Sequence, residues 1–227
     1  MKEAVVLLSG GLDSSTVLAV AKERGFDVVA LTFDYGQRHR RELESAKEVA
    51  KAMGAKEHIV IQIDLGRHLR SSLTQKGMEV PKGRKAKDIS TDIPDTYVPS
   101  RNIVFLSIAS SIAEGRGAEA IFIAANSVDF SGYPDCTPEF LSSFQRVLDV
   151  GTKAGKEGHA VRVEAPVLRM SKGDIVREAL RLKVPLQHTW SCYEGGSKAC
   201  GKCDSCQLRL RGFKDAGARD PIEYEVK

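Results

Sequence analysis

The stretch that decides the fold is Ala4-Val5-Val6-Leu7-Leu8-Ser9-Gly10-Gly11-Leu12-Asp13-Ser14-Ser15. Its first five residues form an uninterrupted apolar run, as a strand buried on both faces requires. The run stops at Ser9-Gly10-Gly11. From Ser14 to Arg24 the apolar positions Val17, Leu18 and Ala21 recur at helical spacing, and Gly25 closes the helix. A strand that turns directly into a helix leaves unpaired N–H groups and the positive end of a dipole at the carboxyl edge of a sheet. Two glycines let a ligand approach the backbone, and the hydroxyls of Ser9, Ser14 and Ser15 add donors, so this turn is suited to an anion such as phosphate. It has neither a Gly-Lys-Ser/Thr ending nor a G-x-G-x-x-G fingerprint, which separates it from Walker and dinucleotide-binding loops.

The same alternation continues outward. Asp27–Phe33 (DVVALTF) predicts a second buried strand. Glu42–Met53 predicts an amphipathic helix on Leu43, Ala46, Val49, Ala50 and Met53, with Gly54 as its stop. Glu57–Ile63 alternates polar and apolar residues, which places a third strand nearer an edge. Helices are expected over Asn102–Glu114, Pro138–Val150 and Ser171–Lys183, the last capped by Ser171 with Asp174 three residues on. Strands are expected at Ala120–Ala125 and Ala160–Glu164. Five strands alternating with helices define an α/β fold, a doubly wound and mostly parallel five-stranded sheet. Ligands then bind outside the carboxyl ends of the strands, in the loops after residues 8, 33, 63, 124 and 164. Thr74–Thr96 lacks periodicity and carries KGRKAKD at 82–88, a solvated basic loop or a lid over an anionic ligand.

The chain has 227 residues, 42% hydrophobic and 28% charged, which is globular composition rather than disorder. At roughly 150 residues per domain, one large domain plus a small appendage is expected. The longest apolar run, residues 120–125, falls far short of the roughly 18 residues a membrane span needs. The apolar run at 4–8 is too short for a signal peptide. A net charge of +4 neither demands nor excludes nucleic acid. Five cysteines argue against a secreted disulfide framework and for a reduced, cytoplasmic setting. Four of them, Cys192-x7-Cys200-x2-Cys203-x2-Cys206, sit among small residues that let the sulfurs converge, the pattern of a tetrahedral Zn²⁺ site. Four protein ligands leave no open position, so such a metal is structural. An iron–sulfur cluster is the rival on the C-x2-C-x2-C run, and the absence of a proline after the last cysteine favours zinc. The division expected is a nucleotide-binding catalytic domain over 1–185 and a zinc-binding, helical C-terminal subdomain with four cysteine ligands over 186–227. Cys136 is left over and reads as a pocket-lining thiol; His39 is the best catalytic candidate among the histidines.

Ser9–Ser15 (SGGLDSS) resembles the PP-loop of the adenine nucleotide alpha-hydrolases, the ATP pyrophosphatases, which cleave ATP between the α and β phosphates. The resemblance implies that ATP lies along Leu8, Ser9, Gly10, Gly11, Leu12, Asp13, Ser14, Ser15, Thr16, Val17 and Leu18. Adenine would then meet the end of the second strand at Leu31 and Phe33. Ser9 and Asp13 become candidate catalytic residues, Asp13 either shaping the loop or binding Mg²⁺. Lys172, at the start of the helix after the fifth strand, is placed to reach phosphates. Four further blocks carry a narrower likeness: FDYGQRH at 33–39, YVPSRN at 97–102, NSVDFSGYPDC at 126–136, and WSCY at 190–193 leading into the cysteine run. Together with the loop they resemble the 7-cyano-7-deazaguanine synthase family of queuosine biosynthesis, from residue 4 to about 220. One departure is Ser100, where glycine is commonly seen.

That resemblance implies an ATP-dependent ligase that turns 7-carboxy-7-deazaguanine and ammonia into the nitrile through an adenylated carboxylate and an amide. Arg101 is suited to pair with the substrate carboxylate. Asp129 and Asp135 are suited to accept from the N–H edge of the base, and Phe130 or Tyr133 to stack on it. Small-molecule substrates, no direct nucleic acid, no membrane and a homodimer are the partners expected. Two rivals stay open: a tRNA-modifying PP-loop enzyme using the basic segments 37–41, 82–87 and 209–214, and a nucleotide-binding module without catalysis.

Overall fold

Residues 4–7, apolar throughout, become the centre of the sheet. In the computed structural model, which describes residues 2–66, 68–69, 71–75, 77–80, 82–83, 93, 95–127 and 133–225, strand β1 (Lys2–Leu7) pairs with a parallel neighbour on each side. Val5 lies opposite Val29 on one side and Ile121 on the other. The chain continues through α1 (Leu12–Glu23), β2 (Phe26–Asp34), α2 (Arg41–Ala52), β3 (Glu57–Gln62), α3 (Arg101–Arg116), β4 (Ala120–Phe122), α4 (Pro138–Gly151), the short α5 (Lys153–Lys156), β5 (Arg162–Glu164), α6 (Lys172–Arg181) and α7 (Asp204–Asp215). The five strands run parallel in the order β3-β2-β1-β4-β5, which is the doubly wound α/β sheet that the alternation predicts.

Alternate residues of each inner strand feed two cores. On one face Ala4, Val6, Val28, Ala30 and Phe122 pack with Val17 and Leu18 of α1, Val49 of α2, Ile175 and Val176 of α6 and Phe213 of α7. On the other, Val5, Val29, Leu31 and Ile121 pack with Leu106 and Ala109 of α3 and with Leu141 and Phe144 of α4. The edge position of β3 agrees with its alternating pattern, since only one side of its ladder is paired. Strand order reverses between β1 and β4, so a crevice opens there at the carboxyl ends.

Boundaries differ from the sequence reading where function begins. β4 ends at Phe122, not Ala125. Ile123 still donates to Glu164 O at 2.9 Å, and then Ala124 and Asn126 leave the ladder for the crevice wall. α1 starts at Leu12 with Gly11 as its cap, two residues earlier than the apolar spacing implies. Ser171 and Asp174 form the expected reciprocal capping box on α6. Ser100 caps α3 with φ of 57°, a left-handed conformation that glycine adopts most readily. Of the aperiodic Thr74–Thr96 stretch, Val80 is buried and Lys82 lies 2.7 Å from Glu194, while residues 84–88 of the basic run lie outside the described residues. Among the described residues no helix is long and apolar enough to cross a membrane.

Candidate active site

A cavity of about 310 Å³ fills the crevice. Its floor is the first strand–loop–helix. There the serine hydroxyls organise the loop itself. Ser9 N–H donates to Ser14 Oγ at 3.2 Å, the two hydroxyls lie 3.0 Å apart, and Gly11 N–H donates to Ser9 Oγ at 3.3 Å. Ser15 Oγ donates to Gly11 O at 2.7 Å. Gly10 has φ of +80°, and a Cβ there would stand 2.6 Å from Glu42 O and overlap Ala46 N, so α2 closes directly against the loop. Leu8, Ser9, Gly11, Leu12, Asp13 and Ser14 line the cavity, as do Leu31 and Phe33 at the end of β2. Ser15, Thr16, Val17 and Leu18 are buried on α1 and are not among the lining residues. They seat the helix that carries the loop.

Lys172 Nζ donates to Asp13 Oδ2 at 2.7 Å, joining residues 159 positions apart. Two devices aim it. The capping box fixes the start of α6. The Asn126 amide donates to Val167 O at 2.9 Å and Met170 O at 2.7 Å, tying the loop after β4 to the approach to α6.

The inner wall is Arg101, Phe105, Tyr35, Tyr133 and Glu42. The Arg101 guanidinium lies 5.9 Å from the centre of the Tyr35 ring. Burial works against its charge, and the neighbouring Tyr35 and Tyr133 hydroxyls more than offset this and raise its pKa. Phe33 stacks on Phe105 with centroids 4.0 Å apart. Burial pushes the Glu42 carboxyl up to about 7, against the pull of Arg101. Tyr133 O–H donates to Thr96 Oγ1 at 2.8 Å.

The sequence-derived substrate residues divide. Arg101 and Tyr133 reach the cavity. Asp135 is buried behind it: its Oδ2 accepts from Asn102 N–H at 3.0 Å and so braces the first turn of α3, and its Oδ1 has no partner among the described residues. Asp129 and Phe130 lie outside the described residues. Cys136 lines the cavity, its thiol pushed up to about 11 by burial and by Asp135 beside it. A thiol so protonated is a poor nucleophile. His39 also lines the cavity, and burial lowers its pKa. Glu42 and Phe105 escaped the sequence reading because each sits on a helix whose spacing reports only its core face. Phe105 follows Arg101 by four residues, and that interval was the available signal.

The outer wall comes from the C-terminal segment: Trp190, Ser191, Tyr193, Ser205 and Leu208. Behind it the four sulfurs of Cys192, Cys200, Cys203 and Cys206 all lie within 4.8 Å of one another, buried, with no disulfide. Backbone N–H groups of Glu194 and Cys200 donate to Cys192 Sγ, and those of Lys202 and Cys203 to Cys200 Sγ, at 3.3–3.4 Å. Sulfurs so grouped and so hydrogen-bonded are a donor set that fits a metal ion.

A parallel α/β sheet with this loop at its switch point, a lysine reaching it from a later helix and a four-thiolate cluster closing the crevice defines a PP-loop type of nucleotide-handling protein. A family model, "Queuosine biosynthesis protein QueC", matches residues 3–217. The chain belongs to the QueC family. A 7-cyano-7-deazaguanine synthase of Desulfitobacterium hafniense is 56% identical over 227 residues, covering 99% of this chain and 94% of that protein. One of Anaeromyxobacter dehalogenans is 52% identical over 224 residues, covering 98% and 96%. Among solved structures, NMN synthetase from Francisella tularensis is similar with a TM-score of 0.49 at 14% identity, over 96% of this chain and 78% of that one.

Proposed function

We propose that this chain is an ATP-dependent ligase that converts 7-carboxy-7-deazaguanine and ammonia to 7-cyano-7-deazaguanine. The observation that carries the reading is a single cavity in which the Gly10-Gly11 loop and Lys172 stand beside Arg101 and an aromatic wall. A nucleotide phosphate and a planar aromatic acid can meet there. Arg101 orients the acid by its carboxylate. A carboxylate oxygen attacks the α-phosphorus, and the N–H groups at the start of α1 together with Lys172 hold the departing pyrophosphate as its charge develops. Ammonia displaces AMP to give the amide. A second ATP activates the amide oxygen, and loss of AMP and a proton leaves the nitrile. Asp13, the loop's carboxylate, lines the cavity beside Lys172 and would hold Mg²⁺, which would supply charge neutralisation for the leaving pyrophosphate.

The thiolate cluster is read as a structural zinc site. Four sulfurs closing on one point suit a single ion better than a cluster of irons. A colourless protein with one equivalent of zinc supports this; a brown, oxygen-sensitive one refutes it. A tRNA-binding reading loses one of its basic segments, because Arg209 is buried against Asp220 and Arg211 lies 3.4 Å from Asp215.

The test is incubation with ATP, ammonium and 7-carboxy-7-deazaguanine, followed by detection of the nitrile, AMP and pyrophosphate. Pyrophosphate release only on adding tRNA would overturn the reading. Ser9→Ala and Asp13→Ala should each abolish turnover in a folded protein, whereas activity retained in both would reduce the loop to a turn.

A further inference from the structure

The phosphate loop is fastened to the sheet by a chain of hydrogen bonds that crosses three strands. The β1–β2 ladder ends at the pair Leu7 and Leu31, and Leu8 N–H still donates to Leu31 O at 2.8 Å. The next peptide unit, Leu8–Ser9, enters the loop, and both of its polar groups are taken. Its carbonyl accepts from Thr32 Oγ1 of β2 at 2.7 Å, and its N–H donates to Ser14 Oγ at 3.2 Å. Leu8 and Thr32 are buried. Thr32 Oγ1 also lies 2.8 Å from Nε2 of His58 on the edge strand β3, where His58 stands opposite Ala30. A hydroxyl has one proton and a carbonyl has none. The proton between Thr32 and Leu8 therefore belongs to Thr32, and the one between His58 and Thr32 belongs to His58 Nε2. The direction of the relay is fixed: His58 N–H to the hydroxyl, the hydroxyl to Leu8 O. Thr32 touches the cavity wall, whereas His58 is not among its lining residues, and neither has a part in the scheme above.

We propose that Thr32, aimed by His58, is a positioning residue for pyrophosphate: it fixes the plane of the Leu8–Ser9 peptide and so the direction in which the loop's N–H groups face the phosphates. This rests on the reading of the loop as the phosphate cradle. A planar peptide held at its oxygen on one side and at its N–H on the other cannot turn about its own axis. Without the hydroxyl, the buried Leu8 carbonyl loses its side-chain donor and turns towards another. Each N–H after Ser9 then turns with it. His58 acts one step further back. Its Nε2–H occupies the other side of the hydroxyl and leaves the Thr32 proton no acceptor there, so that proton goes to Leu8 O.

The experiment measures binding of inorganic pyrophosphate and of adenosine to the full chain by calorimetry. Thr32→Val keeps the shape and removes the hydroxyl, and Thr32→Ser keeps the hydroxyl. The valine variant should bind pyrophosphate about tenfold more weakly, the effect of one lost hydrogen bond, with adenosine affinity unchanged. The serine variant should restore pyrophosphate binding. His58→Leu should weaken pyrophosphate binding in the parent and add nothing in the Thr32→Val background, because it acts through the hydroxyl. His58→Gln, whose amide N–H can take the place of the Nε2 donor, should restore it. If Thr32→Val does not fold, the pair of His58 variants decides in the same way. Pyrophosphate binding unaltered by the loss of the hydroxyl, adenosine binding weakened in equal measure, or a serine variant as weak as the valine would overturn the proposal. Effects of His58→Leu and Thr32→Val that add in full would remove His58 from the relay. A parent protein that binds no pyrophosphate overturns the reading of the loop itself, and the positioning role with it.

Discussion

Gly10 carries the sharpest steric demand in the site. Its left-handed φ and the closeness of Glu42 O and Ala46 N leave no room for a side chain. Gly10→Ala must either bend the loop or push α2 away. We expect a loss of stability of about 1–3 kcal/mol, the cost of overpacking plus a positive φ, measured by denaturant unfolding. ATP-dependent turnover should fall with it, because the displaced loop no longer aims its N–H groups. A substitution without effect on either would show that the loop tolerates a second conformation. At this scale the sequence was readable wherever chemistry is contiguous. Ser9, Gly11 and Asp13 form one loop, and they sit on the cavity. That Lys172 lies on the cavity was readable because it opens the helix after the fifth strand, at the carboxyl edge of the sheet. Asp135 was not: its carboxylate serves the backbone of Asn102, a partner 33 residues away that no local pattern reveals. Glu42 was hidden for the converse reason, since an acidic residue in a first turn is ordinary helix chemistry.

At the scale of elements, α6 and α7 hold Lys172 between them. A Cβ on Gly212 of α7 would stand 2.6 Å from Lys172 Cγ and 3.0 Å from its carbonyl. Gly212→Ala should therefore move Lys172 off Asp13. We expect turnover to drop by about tenfold or more while stability changes by no more than about 1–3 kcal/mol, measured as AMP formation and as denaturant unfolding. The other end of α6 gives a pH prediction. The Asp174 carboxyl is held down to about 2 by the Ser171 hydroxyl and by Arg177. A carboxylate with a depressed folded pKa stabilises the fold above its unfolded value of 3.8 and loses that contribution as pH falls through about 2. The stability gap between the parent and Asp174→Ala should thus be constant near neutrality and close between about pH 4 and 2. A gap that persists below this window would mean that the cap works without its charge. Element type was legible because buried parallel strands read as apolar runs. The end of β4 was misread because Ala124 and Ala125 are as apolar as a strand, yet they lie past the ladder's end, Ala124 on the crevice wall and Ala125 in the core behind it.

Across the whole molecule, the C-terminal segment turns an open sheet edge into an enclosed site. Arg209, with only 2% of its side chain exposed, pairs with Asp220 through Nε at 2.7 Å and Nη2 at 3.0 Å, and donates to Thr189 Oγ1 at 2.8 Å. This pin fastens α7, the tail and the stretch of residues 186–191 that bears Trp190. The thiolates fasten the same segment a second time, because Trp190 Nε1 donates to Cys192 O at 2.9 Å. Trp190 is the sole tryptophan of the chain, buried, and lies on the cavity wall with the Arg41 guanidinium 5.2 Å from its ring. Its fluorescence therefore reports the metal site and the substrate site together. With zinc bound there as proposed, a chelator would remove the ion that holds together four buried sulfurs lying within 4.8 Å of one another. The thiolates would then repel or protonate and the segment loosen, while the sheet, whose two cores draw mainly on α1 to α4 and α6 and take Phe213 from α7, persists. We expect Trp190 emission to shift to longer wavelength, nucleotide-dependent quenching to be lost, and the far-ultraviolet helical signal to fall only slightly. Restoring zinc should reverse all three. An emission spectrum indifferent to the chelator, in protein shown by elemental analysis to have lost its metal, would separate the thiolate cluster from the wall of the site.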